Sequence, residues 1–185
     1  MSDPRQPSFA EALEIAGQWI GLWEAGELSD EVLADRVGEL VASRDGARGF
    51  FVVALAGDAP LMDRLPEPLV LQLRLAGEPV VDLMVRNLAM STAMVLTHGR
   101  SGDLAQQAAS ERVQSRTQEL LRQLDPLAVK QRLEPLLAAT HEPGAQAGRA
   151  PAEAVTADRA FLERWGYDSQ QKQAIQAAVL ALAAQ

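Results

Sequence analysis

The sequence predicts an all-α protein of about seven or eight helices, and three observations carry that expectation. Apolar residues recur with a helical period through most of the 185 residues. Leu and Ala, both strong helix formers, are abundant. Ser, Thr or Asp stands ahead of most of the periodic segments, where a helix cap belongs. There is no cysteine, which excludes disulfide scaffolds, thiol enzymes and cysteine-ligated metal centres. A chain of this length buries about 70% of its unfolded surface on folding, enough for a core without staples.

Ser8-Phe-Ala-Glu11 has the S-x-x-E form of a capping box and opens the first helix. Phe9, Leu13, Ala16, Ile20 and Trp23, flanked by Ala12 and Trp19, form one face about 120° wide. Gly26 ends this segment and Ser29 caps the next, whose buried stripe is Leu33, Val37, Leu40 and Val41. So short a connection makes the two helices antiparallel. The runs Phe50 to Leu55, between Gly49 and Gly57, and Val70 to Leu75 also suit strands. An α+β alternative with short strands near 50–56 and 69–75 therefore stands beside the helical one. Leu and Ala content, with Pro66 and Pro68 where a helix would begin, favours helix.

Pro79 opens a helix running to His98, closed by Gly99-Arg-Ser-Gly102. Ser101 or Asp103 caps a largely polar helix to Leu124 with the seam Ala109, Val113, Leu120 and Leu124. Asp125 and Pro126 begin another, buried through Val129, Leu133, Leu136 and Leu137, which Pro135 should kink or shorten. The stretch His141 to Pro151 lacks periodicity and reads as a linker. A helical hairpin follows, with Thr156 and Ser169 as caps, Phe161 and Trp165 one turn apart, Gly166 as terminator, and Ile175, Ala178, Val179 and Leu182 on one face. The expected organisation is a helical main body over 1–140, a linker over 141–151, and a hairpin over 152–185 too small to stand alone and so docked on the body.

No nucleophile elbow, glycine-rich phosphate loop, H-E-x-x-H or D-x-D calcium motif occurs, and the two histidines, His98 and His141, are far apart. No catalytic residue, cofactor or metal ligand is expected. The 79–98 helix is apolar nearly all round and reads as a central, buried helix. With Val80 at zero on its wheel, Asp82, Arg86 and Thr97 fall at about 200 to 260°, while Asn87, Ser91 and His98 fall within about 20° of zero. The second stripe is Asn87, Ser91, Met94 and His98. Asn opposes both helix propensity and the composition of this chain, which has one Asn, two Lys and three Ile, as GC-rich codon usage produces. One reading has Asn87 and Ser91 hydrogen-bonding across a helix crossing and satisfying buried polar groups. The other has the stripe, with Met84, Met90 and Met94 as adaptable walls, lining a small-molecule pocket. His98 also suits the negative end of the helix dipole.

Arg100, Arg112 and Arg116, with Arg122 beyond, make a locally basic surface interrupted by Glu111 and Glu119. Trp19 and Trp23, like Phe161 and Trp165, are candidate interface anchors, although their apolar faces favour core packing. With 17 basic and 25 acidic side chains the net charge is -8, which argues against nucleic acid and anionic membranes as partners. The longest uncharged stretch, Asn87 to His98, falls short of a bilayer span, and Met1-Ser-Asp-Pro-Arg5 begins no secretion signal, so a cytoplasmic location is expected. The acidity is localised: residues 1–60 carry 4 basic and 11 acidic side chains, residues 61–145 carry 9 and 10, and residues 146–185 carry 4 and 4.

The segment from Leu83 to His98, Leu-Met-Val-Arg-Asn-Leu-Ala-Met-Ser-Thr-Ala-Met-Val-Leu-Thr-His, together with Phe50-Phe-Val-Val upstream, resembles an uncharacterised helical protein family of cyanobacteria over residues 49–121. The resemblance supports the helical reading, is consistent with a cytoplasmic, GC-biased source, and brings no functional residue with it. The absence of an assembled catalytic set, with the asymmetric charge, leads to the expectation of a non-catalytic protein-interaction or regulatory protein, with a protein partner or a second copy of itself. The alternative is a small-molecule binding or enzymatic protein with its pocket beside Asn87, Ser91 and His98.

Overall fold

A computed structural model describes residues 6–141 and 150–184. Among them lie nine α-helices and no strand: α1 Phe9–Glu24, α2 Asp30–Val41, α3 Arg44–Ala56, α4 Glu67–Ala76, α5 Glu78–Ser101, α6 Leu104–Gln123, α7 Pro126–Ala139, α8 Ala152–Arg164 and α9 Ser169–Ala183. The all-α expectation holds. Both candidate strand segments are helical, 50–56 inside α3 and 69–75 inside α4. Packing groups the chain into two compact units, Met1–Leu83 and Met84–Gln185, with the division inside α5. The 152–185 hairpin thus shares a unit with α6, α7 and the C-terminal part of α5, and most of the expected linker, residues 142–149, lies outside the described residues.

In the first unit, the Ser8 capping box forms as its sequence implies, Ser8 accepting from the Glu11 N–H while the Glu11 carboxylate accepts from the Ser8 N–H. Gly26, at φ +75°, turns the chain after α1, and Ser29 caps α2. α1 lies against α3 and α2 against α4, around Ala12, Ala16, Ile20, Leu33, Phe50, Phe51 and Leu73, all buried. The ends of the expected α1 face, Phe9, Trp19 and Trp23, are only half-buried.

α3 begins at Arg44, six residues before the apolar run that announces it, because Ser43 caps it by accepting from the Gly46 N–H at 3.0 Å. Gly46 and Gly49 read as turn residues in isolation, yet both are buried in the helix. Tertiary packing explains Gly49: a Cβ there would lie 2.5 Å from the Ala12 Cβ and 2.9 Å from the Ala12 carbonyl carbon. The glycine lets two helix backbones approach closely.

In the second unit Asp103, not Ser101, caps α6, and Ser101 belongs to the last turn of α5. The α6 seam also shifts. Ala109 is exposed and Val113 half-buried, while Arg116, Thr117, Leu120 and Leu121 are buried. Asp125 and Pro126 start α7 as expected, but the helix continues through Pro135 to Ala139, so the proline does not end it. α8 starts at Ala152 after Pro151, which places Thr156 inside the helix with its hydroxyl donating to the Ala152 carbonyl at 2.9 Å. A threonine this far inside a helix cannot cap it, because the N–H groups ahead of it already bond to carbonyls one turn back. Asp168, rather than Ser169, caps α9 in a reciprocal box with Gln171, since the aspartate reaches the first-turn N–H groups one position earlier.

α7 packs on α8 and α9. A bidentate ion pair joins the first two: Arg132 donates to both carboxylate oxygens of Asp158 at 2.6 and 2.7 Å, with Asp158 2% exposed. α5 is the one described helix long and apolar enough to cross a bilayer, and half of its apolar window is buried inside the protein, as in the core helix of a folded domain.

Candidate functional site

The C-terminal half of α5 is gripped from two sides within the second unit. On one, Gln114 of α6 donates to the Thr92 hydroxyl at 2.8 Å. On the other, the Gln171 amide donates to the Ala93 carbonyl at 3.2 Å and to the Thr97 hydroxyl at 3.0 Å. Gln171 is simultaneously the capping-box residue of α9, so one side chain fixes both the start of α9 and its seat on α5. The turn between α8 and α9, Trp165-Gly166-Tyr167-Asp168, is bound to the end of α5 by Arg100, whose guanidinium donates to Asp168 Oδ2 at 2.6 Å, to Asp168 Oδ1 at 3.4 Å and to the Gln170 carbonyl oxygen of its amide. The arginine's hydrogen bond, followed by the Gln171 N–H, holds the Asp168 carboxyl below the usual aspartate range.

Between α5 and this turn lies an open groove of about 580 Å³, with Met90, Met94 and Thr97 on one wall and Trp165, Tyr167 and Gln171 on the other. Gly166, at φ +65°, makes the turn that puts the two aromatics on the same rim. Tyr167 is 9% exposed and packs edge-on to Phe161, ring centroids 6.4 Å apart, and burial pushes its phenol up to about 12. Trp165 is 53% exposed. Its apolar sequence face favours core packing together with Phe161. Phe161 is indeed buried, but Trp165 is the C-cap residue beyond the last turn of α8, where no neighbouring helix face covers it.

The predicted polar stripe is not brought together at this groove. Met94 lines it, whereas Asn87, Ser91 and His98 do not. Ser91 is buried with its hydroxyl donating to the Asn87 carbonyl at 2.7 Å, which satisfies it within its own helix. Asn87 is half-buried, and His98 sits in the last turn of α5, where its carbonyl accepts from the Ser101 hydroxyl and the Asp103 N–H. The proposed basic surface is divided as well. Arg100 is tied to Asp168, Arg112 is exposed, and Arg116 is 5% exposed and so belongs to the packing of the unit instead of its surface. Trp19 lies beneath the Arg36 guanidinium, 5.7 Å from its ring centroid, and the Trp23 indole donates to Asp30 at 2.7 Å, so both are occupied by α2. Among the described residues no three His, Asp or Glu side chains converge as metal ligands. The groove residues that sequence reasoning missed, Tyr167 and Gln171, carry a legible signal only in retrospect: two aromatics around a glycine, followed by an Asp-x-x-Gln capping box.

No curated protein and no solved structure matches the chain. A family profile does match it, across residues 8–182, from the cap of α1 into the last turn of α9. The chain therefore belongs to the family described as Uncharacterised conserved protein UCP020893.

Proposed function

We propose that the chain is a non-catalytic, cytoplasmic protein-interaction protein whose acidic first unit recognises a basic surface on a protein partner. The observation that supports this is how the charge divides at the unit boundary. Residues 1–83 carry 6 basic and 15 acidic side chains, a net of -9, whereas residues 84–185 carry 11 and 10. Glu14, Glu24, Glu27, Glu31, Asp35 and Glu39 of the first two helices and their loop are all exposed, so their field reaches into solvent. Such a one-signed surface speeds and orients encounter with an oppositely charged partner.

The test is affinity purification of the tagged chain from its native cells at low and moderate salt, in parallel with a Glu24→Lys, Glu27→Lys, Glu39→Lys variant. The expected result is a protein that co-purifies with the wild type in a salt-sensitive manner, is itself basic, and is lost with the variant. A monomeric protein that retains no partner, or a partner retained equally by the charge-reversed variant, overturns the proposal.

A further inference from the structure

The single tyrosine of the chain is an unusual residue in this fold. Tyr167 is 91% buried, lines the groove, and its hydroxyl has no hydrogen-bond partner among the described residues. Buried phenols normally find one. The only sealed, unpartnered side-chain polar atom among those residues is Thr117 Oγ1, so the Tyr167 oxygen keeps contact with open space. The groove is the open space that Tyr167 lines. A largely buried residue that lines the groove thus keeps one unpaired polar atom, and the groove it lines also contains two thioethers and a half-exposed indole.

The chemistry of the groove selects its occupant. Arg100 and Asp168 cancel each other's charge at the rim, and the phenol, titrating near 12, is a neutral donor throughout the ordinary pH range. Gln171 and Thr97 spend their hydrogen-bonding groups on each other and on the α5 backbone. A charged ligand would have no counter-ion here and would lose its hydration against Met90, Met94 and Trp165. A flat ring gains contact with the indole face and with the adaptable methionine side chains. The volume falls in the range of about 300 to 1,000 Å³ that small-molecule sites occupy. We infer that the groove between the end of α5 and the α8–α9 turn binds a neutral, planar small molecule bearing a carbonyl, which accepts a hydrogen bond from the Tyr167 hydroxyl while its ring lies between Trp165 and the two methionines. This site is independent of the acidic surface on the first unit.

Benzamide, a neutral ring with a carbonyl, is a suitable probe. The full chain is titrated to millimolar benzamide while the three tryptophan indole N–H signals and the methionine methyl signals are followed by NMR, with Trp165→Phe assigning its indole. The expected result is a saturable shift at Trp165, Met90 and Met94 with Trp19 and Trp23 unmoved. Tyr167→Phe, which keeps the ring and removes only the hydroxyl, should weaken binding about fivefold, the range of one neutral hydrogen bond. Benzoate, the same ring with a negative charge, should bind more weakly than benzamide. Shifts that do not saturate, that move all three indoles alike, or that Tyr167→Phe leaves unchanged in midpoint overturn the assignment, as does benzoate binding as tightly as benzamide.

Discussion

Replacing Gly49 with alanine tests whether the approach of α1 to α3 is as close as the structure has it. In a helix interior, alanine is more favourable than glycine by about 1 kcal/mol, so helix propensity alone predicts a gain. The structure predicts a loss. The added methyl would sit 2.5 Å from the Ala12 Cβ, 2.9 Å from its carbonyl carbon and 3.0 Å from the Leu13 nitrogen, and two of those three atoms are backbone that no rotamer change can remove. Overpacking of a well-filled core costs about 1 to 3 kcal/mol, and immovable neighbours put this site at the upper end. After subtracting the propensity gain, the net is about 2 kcal/mol of destabilisation, or roughly 4 to 8 °C in Tm for a chain of this size. Gly21, on the exposed face of α1 with nothing within 4 Å of its virtual Cβ, supplies the control. Gly21→Ala should raise Tm by about 2 to 4 °C, since only propensity acts there. Thermal denaturation of the wild type and the two variants by circular dichroism decides the matter. If both alanines raise Tm alike, the close helix contact is wrong.

Breaking the buried ion pair should be the most damaging polar change: Asp158→Ala takes away the bidentate carboxylate that Arg132 donates to and is expected to cost about 3 to 5 kcal/mol in urea denaturation, whereas the double change Arg132→Met, Asp158→Leu recovers most of that loss. Thr117→Val removes the sealed hydroxyl without a partner and should be neutral or stabilising by about 1 kcal/mol in the same measurement. Because Tyr167 is the sole tyrosine, alkaline ultraviolet titration reports it directly, with a midpoint near 12. Its folded value lies above the unfolded one, so the associated stability is complete below about 10 and is lost as pH rises towards 12. Asp168 has the opposite sign: its value is lowered, the stabilisation is present above the ordinary value of 3.8, and it fades as pH falls through the depressed folded value. Arg100→Gln should return the Asp168 carbon-13 titration midpoint towards 3.8.

The helical class and most helix starts were legible because caps and periodicity are local signals. Ser8, Ser29, Asp125 and the proline at 126 all act where the sequence places them. What escaped local reading was decided by distant neighbours. The place of Gly49 inside α3 depends on its close approach to Ala12 of α1, and the fate of Arg116 depends on the packing that surrounds α6. The site was less legible still. Asn87 and Ser91 are polar residues on an apolar helix, but Ser91 spends its hydroxyl on its own backbone, an outcome that helical spacing does not distinguish from a ligand contact. The groove is instead made by a turn roughly 70 residues further on, which the Arg100 to Asp168 contact brings to the helix end. Helical spacing has no information about such a meeting.

The division between the packing units falls between Leu83 and Met84, within α5, while the nearest break in the backbone is at Gly77, φ +70°, just ahead of that helix. The two boundaries have different consequences for cutting the chain. A fragment beginning at Met84 would expose four amide N–H groups at a raw helix end with no capping residue, whereas one beginning at Gly77 would keep the natural start of α5, including Pro79, which has no N–H to lose. Dissection of this protein should therefore follow the backbone, carrying seven residues of the first unit along with the second.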